Sequence, residues 1–143
     1  MICVVDASVA VKWFAHADWA LRESHIEPAL DILQASASGR IEFFQPPHFL
    51  AEVAAVLARL KPDRALDDLH DLLQFPLHTA GTPDILARAV ALAVQLQHHL
   101  FDTLYHAVAL QTPGAVCVTA DRRYLDKAHP LGRIVWLGDY QHA

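Results

Sequence analysis

Four acidic side chains stand where predicted strands end or predicted helices begin, and their type and placement could support chemistry. They are Asp6, Glu52, Asp102 and Asp121. A carboxylate next to a hydrophobic core is costly unless it is paired or binds a metal ion. In open α/β sheets, ligands bind at the edge where the strands end. The pattern therefore indicates a metal site built from these four acids.

Two of the acids follow predicted buried strands. Residues 2–5 form a continuous apolar run, which predicts a strand buried on both faces, and Asp6 comes next with helix-starting chemistry. Residues 115–118 form a second such run, and Asp121 follows it closely. Strands that alternate with helices imply a parallel sheet with right-handed crossovers. We therefore expect Asp6 and Asp121 to emerge at the same edge of this sheet.

The other two acids lie on predicted helices. Pro46-Pro47 ends a strand and starts a helix that contains Glu52, and Asp102 lies in the first turn of a helix that ends before Pro113-Gly114. The remaining predictions are a capping box at residues 24–27 that starts a helix closing near Gly39, helices at 62–73 and 84–97, and strands at 41–44, 75–78 and 134–137.

The predicted cluster of acids suggests one kind of reaction. Clustered carboxylates repel each other and their pKa values rise, whereas hard divalent cations such as Mg²⁺ or Mn²⁺ prefer oxygen ligands and relieve the repulsion. A site of this kind can lower the pKa of a bound water and clamp a phosphodiester for in-line attack. The residues thus predict metal-assisted hydrolysis of a phosphodiester.

The composition fits a globular protein. The chain has 143 residues, of which 54% are hydrophobic and 19% charged, and we interpret residues 1–143 as one domain. No apolar run reaches the roughly 18 residues of a membrane span, and Met1 leads into the first strand without a signal-peptide pattern. We expect a cytoplasmic protein without a membrane partner, in which Cys3 and Cys117 are reduced and structural.

The net charge gives no overall sign of nucleic-acid binding. It is -5, from 11 Lys and Arg against 16 Asp and Glu, but bound cations would reverse the local field at an acidic site. Local basic clusters therefore matter more than the total. They are either solvated helix faces or binding patches, and they comprise Arg59, Lys61 and Arg64 in one cluster and Arg122, Arg123 and Lys127 in the other.

Each acid also has an ordinary structural interpretation. Asp6 and Asp102 could cap helices, which is a frequent role of aspartate. Glu52 could be a solvated helix residue, although its neighbours are apolar. Asp121 could begin a turn and competes with Asp126, which we expect to be exposed. The four acids taken together favour the metal site.

The ten histidines suggest zinc, but the chain lacks an H-E-x-x-H motif and a cysteine pair. His98 and His99 are adjacent and would point different ways on a helix, whereas His106 shares the helical face of Asp102 and could support it. Three aromatic residues could cover the core or line a dimer face: Trp13, Phe14 and Trp19.

Several segments, taken in order, resemble the PIN-domain ribonucleases, and in particular the VapC toxins of bacterial toxin–antitoxin pairs. The resemblance covers nearly the whole chain, and its segments are residues 4–14 (VVDASVAVKWF), 52–54 (EVA), 101–109 (FDTLYHAVA) and 118–123 (VTADRR). It implies a three-layer α/β/α sandwich with a central, mostly parallel sheet. It also implies an endoribonuclease that depends on Mg²⁺ or Mn²⁺, a homodimer, and inhibition by a small antitoxin of the VapB type.

The resemblance also assigns roles to residues. Asp6, Asp102 and Asp121 would be metal ligands, and Glu52 would complete the catalytic acidic quartet directly or through water. Two hydroxyl residues, Ser8 and Thr119, would orient the carboxylates and metal-bound waters, although a cap or strand-end role explains them equally well. One departure is that the family often has asparagine where this chain has Ala55, which affects metal affinity and rate but not the reaction class.

The resemblance leads to one expected function and one alternative. RNA would approach the metal across Lys12 and the Arg122-Arg123 pair, and an antitoxin arm would place an Arg or Lys among the carboxylates. The alternative is a catalytically silent PIN-like module that binds RNA or protein. A phosphatase interpretation fits less well, because Ser8 stands where such an enzyme would have a second acid. A receiver domain would need an aspartate after its third strand and a lysine after its fifth, and neither His78-Thr79 nor Leu137-Gly138 supplies them.

Overall fold

A five-stranded parallel sheet forms the centre of the protein in the computed structural model, which describes residues 1–15 and 23–141. The strands lie in the order β3-β2-β1-β4-β5, so the chain runs outward in one direction from β1 and then in the other from β4. The β1–β4 boundary is therefore the switch point at which open α/β sheets bind ligands. The strands are β1 Ile2–Val5, β2 Glu42–Gln45, β3 His78–Thr79, β4 Ala115–Thr119 and β5 Ile134–Trp136.

Seven α-helices accompany this sheet in the described part of the chain. The sheet and these helices form the α/β/α sandwich that was predicted. The long helix α6 packs on β1, β2 and β4, and α5 packs along α6. The helices are α1 Ala7–Ala10, α2 Ile26–Ala37, α3 Phe49–Leu60, α4 Ala65–Leu72, α5 Pro83–Leu96, α6 Leu100–Gln111 and α7 Arg122–Ala128. Short 3₁₀ turns span Val11–Phe14, His129–Leu131 and Leu137–Asp139.

The predicted elements are present with shifted ends, although the strand expected at residues 75–78 shares only His78 with β3. The strand expected at residues 41–44 runs one position later, and the helix expected at 62–73 is shorter at both ends. The capping box expected at residues 24–27 was wrong. His25 is the N-cap of α2, its backbone is left-handed with φ of 60°, and no side chain caps it. The carbonyl of Ser24 instead accepts a hydrogen bond from Lys12.

The two apolar runs predicted to be buried strands lie at the core. Val4, Val5 and Val118 have no exposed surface, and helix α6 covers them with a buried run from residue 103 to 109. Burying each such aliphatic side chain stabilises the fold by roughly 1.5–3 kcal/mol. Cys3 and Cys117 are buried and free, as expected. The sheet therefore offers a rigid base for side chains that emerge at its carboxyl edge.

Aromatic residues fill the core beside α2. Trp13 is nearly buried, its indole N–H donates to the carbonyl of Ala29 at 2.9 Å, and its ring meets Phe75 edge-on at 5.5 Å. Phe14 also stacks on Phe75, with ring centroids 6.1 Å apart. The core interpretation of Trp13 and Phe14 is confirmed, whereas Trp19 lies outside the described residues. Among the helices that are described, none has the length and apolar character to cross a bilayer.

Candidate metal centre

Potential metal ligands meet in two groups at the carboxyl edge of the sheet, and Asp102 belongs to both. One group contains Asp6, Glu52 and Asp102, and the other contains His98, Asp102 and Asp121. Within each group, the ligand atoms lie within 4.8 Å of one another. The structure therefore brings together the four acids proposed from the sequence, as two sets joined through Asp102, and it adds a histidine.

Asp6 is positioned by the end of β1. Its backbone amide donates to the carbonyl of Val118 at 3.0 Å, so β1 and β4 hold it from one side. From the β2 side, the buried Gln45 side chain bonds both the amide and the carbonyl of Val5, at 2.9 and 2.8 Å. The Asp6 carboxylate accepts from the amide of Ser8 at 2.9 Å. Asp6 thus caps α1 and also faces the acid cluster, so its two interpretations are compatible.

Asp121 is positioned by hydroxyl groups acting on its backbone. Ser8 accepts a hydrogen bond from the amide of Ala120, and Thr119 accepts one from the amide of Asp121, both at 3.0 Å. The Asp121 carboxylate caps α7 by accepting from the amide of Tyr124 at 3.1 Å. Ser8 and Thr119 therefore hold the chain segment that carries Asp121. Their contact with metal-bound water stays a prediction.

Glu52 and Asp102 are oriented by side chains from helix α6 and the residues around it. The hydroxyl of Tyr105 donates to Glu52 at 2.8 Å, and His48 lies 4.0 Å from the other carboxylate oxygen. The Asp102 carboxylate lies 2.9 Å from Nε2 of His98. Both carboxylates are about 30% exposed, at 28% and 31%. They remain reachable from solvent while the neighbouring side chains restrict their orientation.

The electrostatics of the cluster favour a bound cation. The pKa of Asp6 is raised from 3.8 to about 7, mainly by burial; the charges of Asp102 and Glu52 add to the rise, and the hydrogen bonds from Ser8 oppose it. Burial also raises the pKa of Glu52, although the hydrogen bond from Tyr105 and the nearby His48 lower it. Burial and these acids raise the pKa of Tyr105, so it stays a hydrogen-bond donor.

The donor set fits a hard divalent cation. The first group offers only carboxylate oxygens, which are the ligands that Mg²⁺ and Mn²⁺ prefer. A cation would also offset the repulsion and the desolvation that raise the carboxylate pKa values. Asp6, Glu52, Asp102 and Asp121 are therefore the residues that could hold the metal.

An open cavity of about 600 Å³ adjoins the second group of ligands. It is lined by Ala93, Gln97, His98, His99, Asp102, Asp121 and Arg123. Phe101 is half exposed beside it, with its ring 5.8 Å from that of His99 and 5.3 Å from that of His48. Asp102 and Asp121 thus face a cavity that the side chain of Arg123 also lines, and the exposed ring of Phe101 lies next to it.

Two basic residues, Lys12 and Lys61, lie in other environments than the sequence predicted. Lys12 is not on the path to the acids, because it is buried, forms an ion pair with Glu23 and donates to the carbonyl of Ser24 at 2.7 Å. Lys61 is not part of a basic patch, because it pairs with the buried Asp68 at 2.6 Å and donates to the carbonyl of Phe14.

The two arginines after Asp121 have different environments. Arg122 lies over the ring of Trp136, 4.1 Å from its centroid, whereas Arg123 lines the cavity beside the acids. Asp126 is exposed, as expected. Arg123 is therefore the member of this pair that the structure places next to the candidate site.

Contacts in the structure also show the environment of His106, of two further partners of the acids, and of Ala55. His106 does not support Asp102, because its buried ring bonds the hydroxyl of Tyr124 at 2.9 Å and the carbonyl of Gly132 at 2.8 Å. His98 and Tyr105 are partners of the acids that were not predicted from the sequence. Tyr105 had a detectable signal, since it lies three residues after Asp102 on a predicted helix. Ala55 is exposed next to Glu52 and offers no hydrogen bond there.

These features define a parallel α/β protein with a cluster of acids at the carboxyl edge of its sheet, arranged to bind a divalent cation. The PIN domain model matches residues 3–130, and the chain belongs to the PIN domain family. PIN domains are generally nucleases that act on nucleic acid and commonly use divalent metals, so this chain has a nuclease fold. None of the curated proteins compared with the chain matches it.

Proposed function

We propose that the protein is an endoribonuclease that depends on Mg²⁺ or Mn²⁺, with Asp6, Glu52, Asp102 and Asp121 as its metal-binding and catalytic acids. The observation that carries this proposal is the meeting of Asp6, Glu52 and Asp102 within 4.8 Å at the carboxyl edge of the sheet. The likeness of its sequence segments to VapC toxins adds the substrate class. When bound, the cation would lower the pKa of a water molecule and neutralise charge on the phosphate.

The chain's own residues would prepare this reaction. Tyr105 donates to Glu52 and so holds one carboxylate in place, while Ser8 and Thr119 hold the segment before Asp121. Because the cavity is open to solvent, these residues would orient water at the site but would not exclude it. Hydrogen bonds that fix carboxylates before substrate arrives reduce the cost of orienting them during the reaction.

The RNA would bind across the cavity and not across Lys12. The guanidinium of Arg123 would bind phosphate oxygens, which it can contact in a bidentate way. The half-exposed ring of Phe101 would stack on an unpaired base, as aromatic side chains do in single-stranded RNA recognition. This arrangement favours looped or single-stranded RNA, in which bases can turn outward.

We propose a VapC-type toxin that acts on cytoplasmic RNA as a homodimer and is inhibited by a VapB-like antitoxin. The sequence segments that resemble VapC support this proposal, together with the open acidic cavity that a basic arm could enter. An antitoxin that carries Arg or Lys into this cavity would compete with the metal for the carboxylates.

The test is cleavage of a labelled pool of structured RNAs by the pure protein without a partner, in Mg²⁺, Mn²⁺ or EDTA. Asp6→Asn and Asp121→Asn should abolish cleavage, and the exposed Asp126→Asn should retain it as a matched control. RNA that stays intact while the protein still binds RNA would favour the catalytically silent module.

A further inference from the structure

His98 lies in the connection between α5 and α6 and contacts the acid shared by both ligand groups. Its side chain is 7% exposed, and its Nε2 lies 2.9 Å from Oδ2 of Asp102. The preceding residue, Gln97, ends α5 with a left-handed φ of 49°, which turns the chain toward the acids. The imidazole packs edge-on against the ring of Tyr124 at 4.9 Å. His98 is thus held in one orientation.

Lys127 determines which imidazole nitrogen carries the hydrogen. Its Nζ lies 3.2 Å from Nδ1 of His98 and also donates to the carbonyl of Gln97 at 3.0 Å. A lysine ammonium group can only donate, so Nδ1 must be the accepting nitrogen. The hydrogen of the neutral ring is then on Nε2, which faces Asp102. The contacts form a directed chain from Lys127 through His98 to the Asp102 carboxylate.

This chain of hydrogen bonds connects the helices that carry two of the acids. Asp121 caps the start of α7, and Lys127 lies in the last turn of the same helix. Asp102 lies in the first turn of α6. Lys127 and His98 therefore join the two elements whose acids must approach each other at the candidate metal centre.

We propose that His98, held by Lys127, is a positioning residue that fixes the Asp102 carboxylate for the metal, and that it is not itself a metal ligand. This inference depends on the part of the proposed function that places a metal ion at the acids. It does not depend on the RNA substrate. A nitrogen that donates its hydrogen to Asp102 has no lone pair to offer a cation. Hydrogen bonds to metal-binding groups typically change metal affinity 10- to 100-fold.

The test is calorimetric titration of Mg²⁺ and of Mn²⁺ into the wild-type protein and its variants. His98→Ala should weaken the binding of both ions by about 10- to 100-fold. His98→Gln should restore most of the affinity for both, because its amide N–H₂ can donate to Asp102. Lys127→Met should fall between these two. His70→Ala, at an exposed position on α4, is the matched control and should bind like wild type.

A second measurement separates positioning from a purely structural role. Nitrogen-15 NMR of the imidazole rings in the metal-free protein should show His98 with its hydrogen on Nε2, and Lys127→Met should reduce the share of that form. This signal does not depend on how stable the His98→Ala variant is. It therefore keeps the inference testable if that variant fails to fold.

Four results would overturn the inference. Three concern His98, and they are metal affinity unchanged by His98→Ala, a His98→Gln variant that loses Mn²⁺ much more than Mg²⁺, and a wild-type ring with its hydrogen on Nδ1. The second result would make the imidazole a ligand, since nitrogen ligands favour Mn²⁺ over Mg²⁺. A wild-type protein that binds neither ion would also overturn it. RNA that stays intact while the affinities follow the expected pattern would refute the nuclease and leave this inference standing.

Discussion

Replacing Asp6 by asparagine should stabilise the metal-free protein at neutral and alkaline pH, although it should abolish metal binding. Burial raises the pKa of Asp6 from 3.8 to about 7, and the neighbouring acids contribute to this rise. Asparagine has nearly the same shape and can still accept the hydrogen bond from the amide of Ser8. The substitution therefore removes the buried charge while keeping the cap of α1.

The pKa shift determines both the sign and the size of the effect. The folded state holds the Asp6 proton more tightly than the unfolded state, so the free energy of unfolding falls as pH rises between about 4 and 7. Each pH unit in this window is worth about 1.4 kcal/mol, which gives a loss of up to about 4 kcal/mol. Asp6→Asn lacks this loss. Burying the asparagine amide offsets part of this gain. We therefore expect the free energy of unfolding of Asp6→Asn to exceed that of wild type by roughly 1–3 kcal/mol at pH 8.

The assay is denaturant unfolding in EDTA at pH 5 and at pH 8, followed by the same experiment with saturating Mn²⁺. The stability difference between wild type and Asp6→Asn should grow from pH 5 to pH 8 in EDTA. Mn²⁺ at 100 times its dissociation constant should raise the wild-type stability by about 2.7 kcal/mol and leave the variant unchanged. The exposed Asp126→Asn is the control. Equal loss of stability by wild type and Asp6→Asn between the two pH values would refute the reasoning.

Three further changes test the supports around the acids. Tyr105→Phe should weaken Mn²⁺ binding by about 10-fold in calorimetry, because Glu52 loses its hydroxyl donor. Gln45→Leu should lower the free energy of unfolding by about 2–4 kcal/mol in denaturant titration, since two buried backbone groups of Val5 lose their partner. Arg123→Ala should raise the KM for RNA in cleavage assays without changing Mn²⁺ affinity, and an unchanged KM would remove it from the RNA path.

The carboxyl-edge acids could be predicted because the signals that place them are local. A continuous apolar run ends at Val5, and a second one ends just before Thr119, so two buried strands could be recognised directly. The parallel arrangement then places Asp6 and Asp121 at one edge without further information. Asp102 followed from helix-start chemistry, and α6 does begin two residues before it. Repeated local patterns were sufficient for these positions.

The residues that orient the acids could not be predicted in the same way. His98 reaches Asp102 because Gln97 adopts a left-handed backbone and Lys127 approaches from another helix. Neither condition has a periodic signal in the sequence. Lys12 was misplaced for a related reason, since it is buried beside Glu23, with which it forms an ion pair across 11 positions of the chain. Long-range contacts determine these side-chain environments.

The most direct test compares the Mn²⁺ dependence of RNA cleavage with that of Mn²⁺ binding, in wild type and in Asp102→Asn. Asp102 is the decisive position because both ligand groups share it. The account predicts that cleavage and binding reach half-saturation at the same Mn²⁺ concentration, and that the variant loses both. Cleavage that persists in EDTA or in Asp102→Asn would contradict a metal centre at these acids.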